Sequence, residues 1–203
     1  VYKNAVVIAS ETLSKLLDWD DRTTCVLFGD GAGAVYLEQS QDELGVGTSI
    51  LHADGSKREL LVSDAMPVRN ECVSHAKAKT RINMIGGEVF KFAVKTIVTG
   101  IKEVLKSEDM SLSKIRWIIP HQANIRIIEA AAKLLGTSMD QFYVNLSKYG
   151  NTSSASIAIA LDELARNNML DDGDDIILVG FGGGMTSGAM LVHWNRANEY
   201  LKL

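Results

Sequence analysis

The chain has 203 residues, 46% of them apolar and 23% charged, which is enough to bury a core and too apolar to stay disordered. Lysine and arginine number 21 against 25 acids, a formal net charge of -4, so no global basic field exists to hold a nucleic acid, although local basic patches can. No apolar run reaches about 18 residues and no basic leader precedes a cleavable apolar segment, so the expectation is a cytoplasmic protein with no membrane partner.

In chain order, Ala5 to Ala9 reads as a buried strand. It opens so near the first residue that the chain is expected to be the later part of a longer one. Thr24 to Leu37 then reads as strand, glycine-rich turn and strand, with Gly29, Gly31 and Gly33 permitting close backbone approach. Their GxGxG spacing matches part of a dinucleotide fingerprint, but the β-prone AVYLE follows where that fingerprint needs a helix. Gln39 to Thr80 is polar and irregular, and is expected to be an excursion with a short strand or two, attached to the core rather than forming it.

From Val89 to Leu105, apolar residues recur at helical spacing between Lys91, Lys95, Lys102 and Lys106, predicting the longest helix of the chain, with a stripe wide enough to face a sheet. Ile115 to Ile119 is a short strand ended by Pro120, and Ile125 to Leu135 a second helix with Asn124 as cap and Gly136 as stop. Phe142 to Leu146 is another strand candidate. Thr152 to Arg166 is a third helix that opens on small side chains able to pack close to a neighbour. Asp175 to Val179 and Gly188 to Trp194 are strands joined through Gly182 to Gly184, predicted antiparallel because so few residues separate them. The order gives an α/β layered sheet with helices on its faces.

Three polar clusters lie at element ends, where α/β folds place their chemistry: 120–124 with His121, 149–153 with Asn151, and the three glycines at 182–184. Alone, each has a plain reading as a packed histidine, a helix cap or a hairpin turn. Together, a neutral imidazole and a carboxamide N–H can both donate to one oxygen, which suits a thioester carbonyl becoming an enolate. Neither is the nucleophile that covalent acyl transfer needs. Cys25 reads as a buried structural thiol within a strand, and Cys72 as an inert thiol in the polar excursion, with His75 too close in sequence to serve as its base. The two cysteines and the scattered histidines at 52, 75, 121 and 193 argue against a disulfide scaffold or a closed zinc site.

The stretches FGDGAGAV (28–35), GGEVFKFAV (86–94), IIPHQANIRII (118–128), NLSKYGNTSSAS (145–156) and GFGGGMTSGAMLV (180–192) closely resemble the β-ketoacyl-[acyl-carrier-protein] synthase III family. The resemblance runs to about Trp194, and PHQAN followed by YGNTS is its most specific part. It implies the thiolase fold, α-β-α-β-α when complete. Residues 1–80 would be the end of the first half with a connecting excursion, and 81–203 the second half. It also implies a catalytic Cys, His and Asn, with His121 and Asn151 matching the last two and the cysteine placed on a helix before Val1. Gly183 matches the oxyanion-hole glycine, and Lys91, Arg126 and Lys133 the basic face that binds acyl carrier protein.

The implied reaction is a ping-pong decarboxylative condensation of an acyl-CoA, acetyl-CoA in the first instance, with malonyl-carrier protein. It needs no metal or redox cofactor, and the family is a homodimer. Two departures stand out. Gly87 replaces a common Asn, and Met185-Thr186-Ser187 replaces Phe-Thr-Trp, which bears on acyl-chain preference by widening one wall of the pocket. The alternatives are a related acyltransferase of a secondary pathway and a non-catalytic thiolase-like partner subunit.

Overall fold

β-branched and glycine-spaced runs form a two-stranded sheet at the start of the chain. The computed structural model describes residues 2–39, 44–63 and 82–195. In it β1 (Asn4–Glu11) pairs antiparallel with β2 (Gly31–Glu38), Glu11 lying opposite Gly31. The strand expected at Thr24 is instead a series of turns. The Asp21 carboxylate accepts from the Thr23 N–H and from the hydroxyls of Thr23 and Thr24, and the Cys25 N–H donates to the Asp21 carbonyl. Cys25 is therefore half-buried in a turn, which corrects the reading of a buried strand thiol. Cys72 and His75 lie outside the described residues.

A larger sheet has the order β3-β8-β7-β6, built from β3 (Gly45–Ala53), β6 (Trp117–Pro120), β7 (Asp175–Gly182) and β8 (Thr186–His193). Only β6 and β7 are parallel. The excursion expected over 39–80 does carry a strand, but β3 is nine residues long rather than short, and it joins this sheet as its edge strand. A small hairpin-like pair, β4 (Leu61–Ser63) and β5 (Ile82–Met84), follows.

The helices are α1 (Gly86–Ser107), α2 (Ile125–Leu135), the single turn α3 (Leu146–Tyr149) and α4 (Ala155–Arg166). The ends of α2 match their sequence signals: Asn124 Oδ1 accepts from the Arg126 N–H, and Gly136 closes the helix at φ 71°. Phe142 to Leu146 forms no strand. Tyr143 makes one backbone bond to the Ile118 carbonyl before the chain turns at Asn145 into α3.

Strand alternation divides the core between the two faces of the larger sheet. Ile118, Ile177, Val179, Ala189 and Leu191 pack with α1 and α2. Ile119 and Ile176, with Leu178 and Val192 beside them, pack with Ala160, Leu161 and Leu164 of α4. On its other side α4 lies against β1 and β2, so the layers run sheet, helix, sheet, helices. The close contacts are built on small residues. A Cβ at Gly33 would meet the Ala158 Cβ at 2.6 Å, and one at Gly100 would meet the Ala189 Cβ at 2.9 Å.

Candidate active site

The parallel strands β6 and β7 end on the same side of the sheet, and the chain places polar groups at both ends. His121 directly follows β6, and its N–H donates to the Val179 carbonyl at 2.8 Å, extending the ladder beyond Pro120. Its ring stands edge-on to Phe181 of β7, centroids 5.2 Å apart, and its Nδ1 lies 2.7 Å from Ser156 Oγ on α4. The next side chain, Gln122, is fully buried. Its amide donates to the carbonyls of Pro120 and Tyr143 and accepts the Asn145 N–H, which fixes the turn around the histidine.

Burial pushes the His121 imidazole down to about 4, against a smaller upward pull from Glu11. The ring is therefore neutral at pH 7. Its resonances are expected to stay flat from pH 8 to about pH 5, and a midpoint near the ordinary histidine value in an NMR titration would refute the buried setting. Unfolded chains take up that proton near pH 6.5, so this group's contribution to stability falls as pH drops from about 6.5 towards 4.

Asn151, just ahead of α4, is held by backbone pairing. Its N–H donates to the Leu27 carbonyl and its carbonyl accepts from the Gly29 N–H at 2.8 Å. Glycine at 29 is required, because a Cβ there would lie 2.3 Å from the Tyr149 carbonyl oxygen. The Asn151 side chain is 8% exposed, and its Oδ1 accepts the Ser153 N–H at 2.9 Å. That bond fixes which end of the amide is oxygen. It leaves Nδ2 with no hydrogen-bond partner among the described residues. Ser153 adopts a left-handed φ of 51°, after which Ser154 donates its N–H and hydroxyl to Glu11 Oε1 from the end of β1.

The lead-in to Asn151 is tied down by Glu163 of α4, which accepts from Lys148 at 2.6 Å, Asn145 at 2.7 Å and Tyr149 at 2.9 Å. Gly183 lies just beyond β7, exposed in the turn before β8, where its carbonyl accepts from Thr186 Oγ1. The structure thus brings His121, the residues leading to Gly183, and the first turn of α4 to one end of the molecule.

The three basic residues are exposed, but their surroundings are mixed. Lys91 pairs with Glu88 at 2.7 Å, and Arg126 and Lys133 share one face of α2 with the exposed Glu129 between them. At Gly87 a Cβ would meet nothing within 4 Å, so an asparagine would fit. Met185 is fully buried and its peptide exchanges two hydrogen bonds with Asp54, so this side chain packs in the interior. Ser156, Gln122, Glu11 and Glu163 were not singled out by the sequence. Ser156 and Gln122 sit inside the quoted motifs, which was the available signal. Among the described residues no three metal-binding side chains converge, and no helix is long and apolar enough to cross a membrane.

The family model for the C-terminal part of 3-oxoacyl-[acyl-carrier-protein] synthase III matches residues 105–194, and the companion synthase III model matches residues 1–55. The chain belongs to the 3-oxoacyl-[acyl-carrier-protein] synthase III family. It is 53% identical over 194 residues to the beta-ketoacyl-[acyl-carrier-protein] synthase III of Clostridium novyi (strain NT), covering 95% of this chain and 60% of that protein. The synthase III crystal structure from Aquifex aeolicus superposes with a TM-score of 0.84 at 42% identity, over 95% of this chain and 58% of that one. The Thermus thermophilus synthase III gives 0.86 at 38% identity, over 96% and 60%. The fold is the layered α/β thiolase fold of these synthases, and the chain spans about three-fifths of the length of the curated relatives it matches.

Proposed function

We propose that the protein carrying this chain performs the decarboxylative Claisen condensation of an acyl-CoA primer, acetyl-CoA in the first instance, with malonyl-[acyl-carrier-protein], the step that initiates fatty acid synthesis. The observation that carries this reading is the Asn151 amide, whose oxygen is occupied by Ser153 while its N–H pair stays free of the described residues, at the head of the helix that also binds His121.

On this reading a cysteine outside these 203 residues takes the acyl group from CoA, and free CoA leaves. Malonyl-carrier protein then enters, and His121 and Asn151 donate to its thioester oxygen. The bond to the carboxylate breaks, carbon dioxide departs, and the electron pair is held as the enolate. That carbon attacks the acyl-cysteine carbonyl, whose developing oxyanion receives the Gly183 N–H, and the thiolate leaves. A neutral His121 fits a hydrogen-bond donor that need not surrender its proton. The chemistry draws on no metal or redox cofactor.

Lys91, Arg126 and Lys133 are the proposed contacts for the acidic carrier protein, with Glu88 and Glu129 making that attraction local and salt-sensitive. The protein acts as a cytoplasmic homodimer. The chain comprises the end of one thiolase-like half with its excursion (1–80) and the second half (81–203), β3 crossing from the first segment into the second sheet.

The test is the intact mass of the complete protein after acetyl-CoA, followed by carbon dioxide release on adding malonyl-carrier protein. One acetyl group mapping outside residues 1–203 and carrier-dependent release are expected. Acetylation without release would make the protein an acyltransferase, and no acetylation would make it a non-catalytic partner.

A further inference from the structure

Ser156 is 2% exposed, so its one proton and two lone pairs have to be satisfied by the protein. One lone pair takes the Gln122 N–H at 3.2 Å. The other hydrogen-bond contact of this hydroxyl among the described residues is His121 Nδ1, at 2.7 Å. Two arrangements fit that distance. If Nδ1 carried the proton and donated to Oγ, the buried serine hydrogen would have no acceptor, a costly state. If Oγ–H donates to Nδ1, the serine hydrogen, its lone pair facing Gln122 and Nδ1 are all satisfied.

We infer that Ser156 is a positioning residue that donates its hydroxyl proton to Nδ1 and so holds His121 as the Nε2–H tautomer. The Gln122 N–H aims the serine lone pair and thereby its proton, and the Phe181 ring limits rotation of the imidazole. The inference rests on the reaction proposed above for its purpose, since an Nε2–H can donate to a thioester oxygen whereas an Nε2 lone pair would repel the enolate. The tautomer itself does not depend on that reaction.

The experiment uses the complete protein labelled with ¹⁵N-histidine, in which the two His121 ring nitrogens are read by long-range proton–nitrogen correlation at pH 7. A pyridine-type Nδ1 and a pyrrole-type Nε2 are expected, and the reverse pattern overturns the assignment. Ser156→Ala is expected to blur that pattern and slow malonyl-carrier decarboxylation about tenfold, the scale on which the outer partner of a functional histidine acts. KM for the carrier substrate and cysteine acetylation should hold. Ser156→Thr, which restores the hydroxyl, should recover both the pattern and the rate. A Ser156→Ala protein with unchanged ring nitrogens and an unchanged rate overturns the role. The expected tautomer in an unaltered protein that never releases carbon dioxide sustains the role of Ser156 and overturns the proposed reaction instead.

Discussion

Replacing Asn151 by Ala in the complete protein is expected to slow malonyl-carrier decarboxylation by about 10²- to 10³-fold while leaving cysteine acetylation largely intact, the scale of removing one preorganised donor to a developing oxyanion. The structure allows a sharper version of the test. Asn151 Oδ1 has a local task, accepting the Ser153 N–H, and Nδ2 has none among the described residues. Asn151→Asp keeps the acceptor and hence the turn, but presents a carboxylate where the donor was. It should fold as well as the parent and decarboxylate no better than Asn151→Ala. Single-turnover acetylation followed by carbon dioxide release separates the steps, and equal loss of both in Asn151→Ala would sink the assigned role.

Loss of Glu163 should give the largest change in stability. Its carboxylate gathers Lys148, Asn145 and Tyr149 across α3 and α4, and its side chain is only 16% exposed. Glu163→Ala strands these donors and is expected to cost about 2–3 kcal/mol, read as a melting temperature lower by roughly 5–10 °C. Since this cluster anchors the segment entering Asn151, decarboxylation should fall as well, and a melting point unchanged from the parent would refute the cluster's importance.

The pH dependence has a definite sign. Burial, the largest single influence on Glu163, pushes its carboxyl up, but the bonds from Lys148, Asn145 and Tyr149 together hold it below the ordinary value. The stability it contributes is therefore present above the ordinary glutamate pKa and is lost as pH falls through the lowered folded one. Glu163→Gln should remove that acid-side slope from urea unfolding measured between about pH 3 and 6.

The sequence was most legible where one periodicity ran unbroken. α1 shows a long apolar stripe, and Asn124 and Gly136 mark both ends of α2. It was least legible where side chains override local pattern. The length and place of β3 are not legible, because its glycines and the irregularity between Val46 and Ser49 break the alternation of an edge strand. Phe142 to Leu146 has the composition of a strand, yet Gln122 captures the Asn145 N–H and the chain turns into α3. Cys25 has β-prone neighbours, while Asp21 four residues earlier holds the segment in turns.

The candidate site was legible as residue types but not as a network. His121 and Asn151 stand in recognisable motifs, whereas the groups that orient them come from places remote in sequence. Ser156 lies 35 residues beyond the histidine it contacts, and Glu11 reaches Ser154 across 143 residues. Local propensity carries no information about such pairs.

That last separation bears on how the molecule assembles. The Glu11 bond to Ser154 and the pairing of Gly29 with Asn151 each close a loop of well over half the chain. Contacts so distant along the polymer cost loop-closure entropy before they contribute anything, and they slow folding. On a ribosome β1 and β2 can pair early, but the helix that fits between the sheets is made much later. The site therefore cannot complete until α4 has been made. A nascent chain arrested before Ser156 has emerged carries His121 without the hydroxyl that contacts its ring.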